Sequence, residues 1–350
     1  MTHSNYIKRC IQLAKNGLGT TYPNPMVGSV IVHNNKIIGE GWHYQAGKPH
    51  AEVNAINSVL NKDLLTDSTI YVSLEPCSHF GKTPPCSDLI IESGIRKVVI
   101  GTIDPFAEVS GRGIEKLKNA GCEVIVGVLE NECQELNKRF FTFHNKKRPY
   151  IFLKWAKSID GFLSPKAQEN QKRAPIWITN TFSKQQVHKQ RANEQAILIG
   201  TNTAISDNPS LNTRLWNGSN CTRVIIDLNS RIPNNSIVLN GVQKTIVITT
   251  NEFLKNNENL CFEVIDTSGN IAEKICLILY KHQIQSLIIE GGKQTIQTFI
   301  DANLWDEAFV YTGLKTNFNT GTPAPILSEK AKLLNSNQIK TDILTLYKND

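Results

Sequence analysis

Strand-length apolar runs set the terms on which this chain folds. Val27–Val32, Thr69–Leu74, Val98–Gly101, Ala196–Gly200, Thr245–Thr249 and Ser286–Ile289 are each far too short to span a membrane and the right length for a strand. Segments of helical period fall between them. In the first, Tyr6–Leu18, the residues Ile7, Cys10, Ile11 and Ala14 share one face. Strands alternating with helices predict a layered α/β architecture.

In the first half the pattern opens with a hairpin, Met26–Val32 and Lys36–Gly41 across Asn34-Asn35. Helix Ala51–Leu60, strand Thr69–Leu74, helix Ser87–Ser93 and strand Val98–Gly101 follow, then helix Gly113–Ala120, strand Glu123–Val126 and a closing helix Glu130–Phe143. The polar, basic stretch Asn145-Lys146-Lys147-Arg148-Pro149 marks a boundary. A second α/β unit comes after it, with strands at Tyr150–Trp155, Ala196–Gly200, Thr222–Asp227, Thr245–Thr249 and Ser286–Glu290. Its helices fall at Thr181–Asn193, Ile271–Lys281 and Thr295–Ala302. A chain of 350 residues has room for two such domains, 1–145 and 150–350.

Composition narrows the partners. Apolar content of 40% and charged content of 20% are those of a globular protein in water. The start, Met1-Thr2-His3-Ser4-Asn5, is polar and has no apolar signal core, so a cytoplasmic protein is expected. The net charge of +7 is spread out, and no basic block exceeds Lys146-Lys147-Arg148. That argues for sites that take phosphorylated small molecules and against a nucleic-acid surface. The eight cysteines are scattered through a large chain, so reduced thiols are expected. Cys10, Cys122, Cys133, Cys221, Cys261 and Cys276 read as small core residues, whereas Cys77 and Cys86 invite a metal.

The metal reading rests on His50-Ala51-Glu52 with Pro76-Cys77 and Pro85-Cys86. One imidazole and two thiolates suit zinc, and three protein ligands leave its fourth position open to water. Residues two apart share no helix face, so His50 and Glu52 converge only at a helix start, which Pro49 supports. Cys77 follows the carboxyl end of strand Thr69–Leu74, where open α/β sheets place their sites. Glu52 is then positioned to move the protons of the zinc-held water, which points to hydrolytic deamination. A buried Cys pair, or a closed zinc knot with His79 as fourth ligand, is the plainer alternative. His-x-Glu with Pro-Cys-x-x-Cys is the zinc deaminase signature. Here Ser78-His79-Phe80-Gly81-Lys82-Thr83-Pro84-Pro85 separates the two cysteines, where nucleobase and tRNA deaminases have two residues.

The longer spacing, the run Glu75-Pro76-Cys77 through Pro85-Cys86, Thr21-Tyr22-Pro23-Asn24-Pro25-Met26-Val27-Gly28 and Gly47-Lys48-Pro49-His50-Ala51-Glu52 resemble the RibD family of bifunctional riboflavin-biosynthesis proteins. Lys154-Trp155-Ala156-Lys157-Ser158-Ile159-Asp160-Gly161, Trp177-Ile178-Thr179, Gly200-Thr201-Asn202-Thr203, Asp207-Asn208-Pro209-Ser210-Leu211, Arg214 and Glu290-Gly291-Gly292 resemble its reductase half. The likeness runs along the chain to about Pro325. It implies a cytidine-deaminase-like three-layer α/β/α domain, then an α/β domain similar to dihydrofolate reductase. The implied reactions are zinc-dependent deamination of 2,5-diamino-6-(5-phosphoribosylamino)pyrimidin-4-one and NADPH-dependent reduction of the ribosyl group to ribityl. The implied partners are that small-molecule phosphoribosyl pyrimidine, no nucleic acid, no membrane, and a second copy of the chain in a homo-oligomer.

By resemblance, His50, Cys77 and Cys86 hold zinc and Glu52 is catalytic. Asn24, His43, Lys82 and Asp104 meet the deaminase substrate. Leu211, Arg214 and Glu290 meet the reductase substrate, and Lys154 or Asp207 assists protonation of its imine nitrogen. Lys157, Trp177, Thr203, Asp207, Gly292, Lys293, Gln294, Thr295, Ile296, Gln297 and Thr298 line NADPH, with pyrophosphate at the helix start after Glu290-Gly291-Gly292. Gly111-Arg112-Gly113 offers a second anion cradle at a helix start. Three residues depart from the family: Phe106 replaces an Asn, Lys157 a small residue and Pro175 a Ser. A monofunctional deaminase with a degenerate second half, and a nucleic-acid-editing deaminase, are the alternatives.

Overall fold

Residues 2–78, 84–106, 110–166 and 176–350 are described by the computed structural model of the chain. Lys82, Pro175 and His79 lie outside them. Two units result, Met1–Lys146 and Lys147–Asp350.

Alternation of side chains along each strand builds the first unit. Strands β1 (Gly28–His33), β2 (Lys36–Trp42), β3 (Thr69–Leu74), β4 (Lys97–Thr102) and β5 (Glu123–Val126) form one sheet in the order β2-β1-β3-β4-β5. The β1–β2 and β1–β3 pairs are antiparallel, and β3, β4 and β5 run parallel. Odd and even positions face opposite ways. Ile31, Ile70, Val72, Val98 and Ile100 therefore pack with α2 (Ala51–Ser58), α3 (Cys86–Glu92) and α4 (Arg112–Asn119). Val30, Val32, Tyr71 and Val99 pack with α1 (His3–Ala14) and α5 (Glu130–Leu136) on the other face. Three layers are the outcome, as the periodicity predicts.

The closing helix expected over Glu130–Phe143 is two helices, α5 and α6 (Lys138–Lys146), broken at Asn137. Asn137 accepts a bond from the Met26 N–H and donates one to the Met26 carbonyl, both at 2.8 Å. A side chain committed to a distant backbone in this way competes with helix continuation.

The second unit has β6 (Tyr150–Ser158), β7 (Phe162–Pro165), α7 (Thr181–Asn193), β8 (Ala196–Gly200), α8 (Thr201–Asp207), β9 (Thr222–Ile226), β10 (Thr245–Thr249) and β11 (Leu260–Val264). Then come α9 (Ile271–Lys281), β12 (Ser286–Ile289), α10 (Lys293–Asp301), β13 (Glu307–Gly313), β14 (Gly321–Pro323), β15 (Ala331–Ile339) and β16 (Asp342–Asn349). Its main sheet has the order β11-β10-β9-β8-β12-β6-β13-β16-β15, and β7 pairs β14 apart from it. Strands β11 through β13 are parallel, while β16 and β15 add an antiparallel edge. Ile151, Leu153, Trp155 and Leu198 pack under α9 and α10, and Tyr150, Phe152, Ile197 and Ile199 fill the opposite face. The expected strands stand near their expected places, whereas β15 and β16 carried too much polar sequence to be read and β7, β11, β13 and β14 were not foreseen. Among the described residues no helix is long and apolar enough to cross a membrane.

Candidate active site

His50 is the N-cap of α2, so the helix start carries it and Glu52 together, as the i, i+2 argument requires. The helix lies against β2 at backbone distance. A Cβ on Gly41 would sit 2.4 Å from the Ala55 nitrogen and 2.6 Å from the Ala51 carbonyl oxygen, so only glycine fits. Cys77 comes from the loop after β3, and Cys86 opens α3. His50 Nδ1 lies 3.6 Å from the Cys77 sulfur and 3.3 Å from that of Cys86, and the three ligand atoms fall within 4.8 Å of one another. The Cys86 N–H donates to the Cys77 sulfur at 3.3 Å. Hydrogen bonding from Cys86 draws the Cys77 thiol well down, while burial opposes.

Glu52 is only 3% exposed. Burial pushes its carboxyl up to about 7, with His50 partly offsetting the rise. Asp104, in the loop after β4, is likewise raised to about 7 by burial, and its Oδ1 accepts the Phe106 N–H at 2.8 Å. His43 is hydrogen-bonded at both ring nitrogens. Its Nδ1 bonds the Pro49 carbonyl and its Nε2 bonds Asn24 Nδ2, both at 3.1 Å. The carbonyl accepts only, so Nδ1 carries the proton and Nε2 accepts from the Asn24 amide. His43 thus orients Asn24 and has no ring nitrogen left over. The Phe106 ring lies against His144 with centroids 5.1 Å apart and planes tilted by 56°.

Glu75 was missed in the sequence. Its buried carboxylate accepts the N–H groups of Asp104 (3.3 Å), Gly111 (3.0 Å), Gly113 (3.0 Å) and Ile114 (3.2 Å). The anion expected at the start of α4 is therefore the protein's own, and the Gly111-Arg112-Gly113 cradle is filled. A Cβ on Gly113 would meet the Pro76 oxygen at 2.1 Å, so α4 abuts the loop that carries Cys77. An acidic residue before Pro-Cys was the available signal; the remote N–H groups it binds were not readable.

In the second unit, α8 and α10 begin at Gly200 and Gly292 with no side-chain caps. A Cβ on Gly291 would lie 3.2 Å from the Gly200 nitrogen, which shows how closely the two turns approach. The Thr203 hydroxyl accepts the Gly292 N–H at 3.0 Å, so it ties these turns to each other. Gly292, Lys293 and Gln294 form the helix start. Thr295 packs toward Gly200. Ile296 is fully buried in the core and the Leu211 side chain is 4% exposed. Gln297 bonds Asp301 and the Ile326 backbone, and Thr298 bonds the Gln294 carbonyl.

Glu290 is held by cations. Its Oε2 accepts from Arg191 Nη2 at 2.6 Å, and Lys154 Nζ lies 3.7 Å from Oε1. Burial would raise its pKa, yet the two cations win and draw it down to about 2. Lys154 is lowered, by burial first. Arg191 was not foreseen, since one Arg on a helix of mixed polarity carries no motif. His188, 4% exposed, accepts the Arg214 N–H at 3.1 Å and is lowered to about 4 by burial and by Arg191. Arg214 is exposed and donates to Asn212 Oδ1 at 3.0 Å. Trp177 is 61% exposed with Lys184 Nζ 3.5 Å above its ring. Asp207 is exposed and accepts from the Ser206 hydroxyl, while Lys157 is half-buried on β6.

Comparison with known proteins gives these sites a context. Residues 1–102 match the cytidine and deoxycytidylate deaminase zinc-binding region, and residues 149–316 match the RibD C-terminal domain. The riboflavin biosynthesis protein RibD of Aquifex aeolicus is 42% identical over 89% of this chain and 86% of its own. The chain belongs to the RibD family. The Escherichia coli RibD is 35% identical over 90% of this chain and 88% of its own. A crystal structure from Thermotoga maritima, titled a diaminohydroxyphosphoribosylaminopyrimidine deaminase/5-amino-6-(5-phosphoribosylamino)uracil reductase, superposes with TM-score 0.87. It is 38% identical, with 99% of each chain covered. Acinetobacter baumannii RibD gives the same TM-score at 32% identity over 99% of each chain. As a RibD-family member the protein is a bifunctional enzyme of riboflavin biosynthesis, with deaminase and reductase domains acting on a small molecule.

Proposed function

We propose that residues 1–145 deaminate 2,5-diamino-6-(5-phosphoribosylamino)pyrimidin-4-one to 5-amino-6-(5-phosphoribosylamino)uracil, and that residues 150–350 reduce the product's ribosyl group to ribityl. The observation that carries this is the convergence of His50, Cys77 and Cys86 beside a buried Glu52, in a chain akin to RibD along both units.

One imidazole nitrogen and two sulfurs fit zinc, and His50, Cys77 and Cys86 would hold it. Zinc, when bound, supplies an activated water of lowered pKa. Glu52, raised to about 7, takes a proton from the attacking water and returns protons to the ring nitrogen and the departing amine. Asn24, oriented by His43, hydrogen-bonds the ring or ribose, and Asp104, raised to about 7 by burial, meets the substrate as well. Lys82, a point charge on a flexible stem, pairs with the phosphate.

For the reductase, the uncapped starts of α8 and α10 offer N–H groups suited to a dinucleotide's phosphates. NADPH, when bound, supplies the hydride. Gly292, Lys293 and Gln294 hold it, with Lys157, Trp177 and Asp207 assigned to it by family resemblance. Buried Arg191 Nε and Glu290 Oε1 have no hydrogen-bond partner among the described residues, which supports a polar ligand there. Arg214 grips the substrate phosphate. Lys154, its pKa drawn down by burial, donates the proton to the imine nitrogen. The enzyme acts in the cytoplasm as a homo-oligomer without nucleic acid.

Each half-reaction is tested on the purified protein, by ammonia release from the diaminopyrimidine and by NADPH oxidation with the deaminated product. Both are expected. A folded, zinc-loaded protein that releases ammonia but oxidises no NADPH would sink the bifunctional assignment.

A further inference from the structure

A second trio of metal-competent side chains converges far along the chain from the first. Cys261 and Glu263 stand two apart on β11, so they leave the same face of the strand. Among the described residues that strand is the outer one of its sheet and pairs β10 alone. His282 caps the C-terminal end of α9. Glu263 Oε1 lies 2.6 Å from His282 Nε2 and 3.6 Å from the Cys261 sulfur, and the three ligand atoms fall within 4.8 Å of one another. All three residues are half-buried. Of the six cysteines expected to be plain core residues, Cys261 alone is not buried.

The spacings resemble those of the first cluster, where His50 Nδ1 stands 3.3 and 3.6 Å from two sulfurs. A tetrahedral zinc with bonds of about 2.0–2.3 Å holds neighbouring ligand atoms about 3.3–3.7 Å apart. The thiol–carboxylate distance already meets that. The imidazole needs to retreat by less than about 1 Å, exchanging its bond to Glu263 for one to the metal. A mixed sulfur, nitrogen and oxygen set selects zinc or a divalent ion of similar softness over calcium or magnesium, which take oxygen alone.

We infer that Cys261, Glu263 and His282 form a second metal site, independent of the deaminase centre. Binding breaks the Cys261 S–H bond and forms a sulfur–metal bond, with the proton released to solvent. Glu263 contributes a carboxylate oxygen, His282 the Nε2 lone pair, and water the fourth ligand. The metal then clips an outer strand to a helix end, a structural role distinct from either reaction.

Metal-stripped full-length protein titrated with zinc against a chromophoric chelator is expected to take up two equivalents, the second more weakly. Cys261→Ser combined with His282→Gln should bind one equivalent and keep full deaminase turnover. In the unmodified protein, iodoacetamide labelling of Cys261, followed by peptide mass spectrometry, should slow about tenfold when the second equivalent is added. Saturation at one equivalent, two equivalents in the double variant, or labelling indifferent to zinc would each reduce the trio to an ordinary hydrogen-bonded cluster.

Discussion

The cluster around His50, Cys77 and Cys86 and the cluster around Glu290 are held by opposite means. Around His50, Cys77 and Cys86 the reactive side chains hang from backbone that other groups clamp: Glu75 binds four N–H groups, and Gly41 lets α2 rest on β2. Around Glu290 the charged side chains clamp one another, with Arg191 on one oxygen and Lys154 beside the other. A backbone-held site keeps its residues close in sequence to helix starts and strand ends, so its spacing is readable. A site held by side-chain charges draws on α7, β6 and the residue after β12 at once and leaves no spacing to read.

The contrast is tested most severely at Glu52. Glu52→Gln should bind zinc, lose deamination by about 10²–10⁴-fold and leave NADPH oxidation unchanged; loss of both activities in a folded variant would show that the two sites are not separate. Next is Arg191→Met, which strands a buried carboxylate with one cation. It should destabilise the second unit by about 3–5 kcal/mol in denaturant melts, and Arg191→Met with Glu290→Leu should recover much of that. Equal melting of the single variant and the parent would mean that the charges do not hold the site.

A smaller effect is expected at Glu75→Gln, about 1–3 kcal/mol, because Gln keeps one acceptor oxygen and turns the other into a donor facing N–H groups. Hydrogen exchange should quicken at Gly111, Gly113 and Ile114 and stay unchanged throughout the second unit. Exchange that quickens in both units would contradict a local clamp. The least is His188. Its folded pKa of about 4 lies below the usual 6.5, so only the unfolded chain gains a proton between those values. The neutral ring's contribution is complete above about pH 6.5 and is lost as pH falls toward 4. Denaturant midpoints of His188→Asn should show a shallower fall over that window than the parent; identical slopes would remove His188 from the account.

Much of the first unit was legible because its strands alternate cleanly, as Val30, Ile31 and Val32 do, and because His50 and Glu52 obey helix-start geometry. Legibility failed where a polar side chain reached a partner remote in sequence. Asn137 ended a helix by bonding Met26, 111 residues away, and Glu75 filled a helix start that looked open. In the second unit, β16 interleaves Thr345, Lys348 and Asn349 with its apolar residues, so no apolar run announces it, and its partner β13 was not foreseen despite the run Ala308–Tyr311. A motif gives position along the chain, while the helix and the core decide which way a side chain turns, and the Leu211 and Ile296 side chains turn into the core.

At the Gly41 codon every missense change adds at least a methyl group, in space that the Ala51 and Ala55 backbone already fills. Helix α2 must then lift, carrying His50 and Glu52 with it. Inherited change at this one codon is therefore expected to act on the proposed deaminase step and to spare the reductase step.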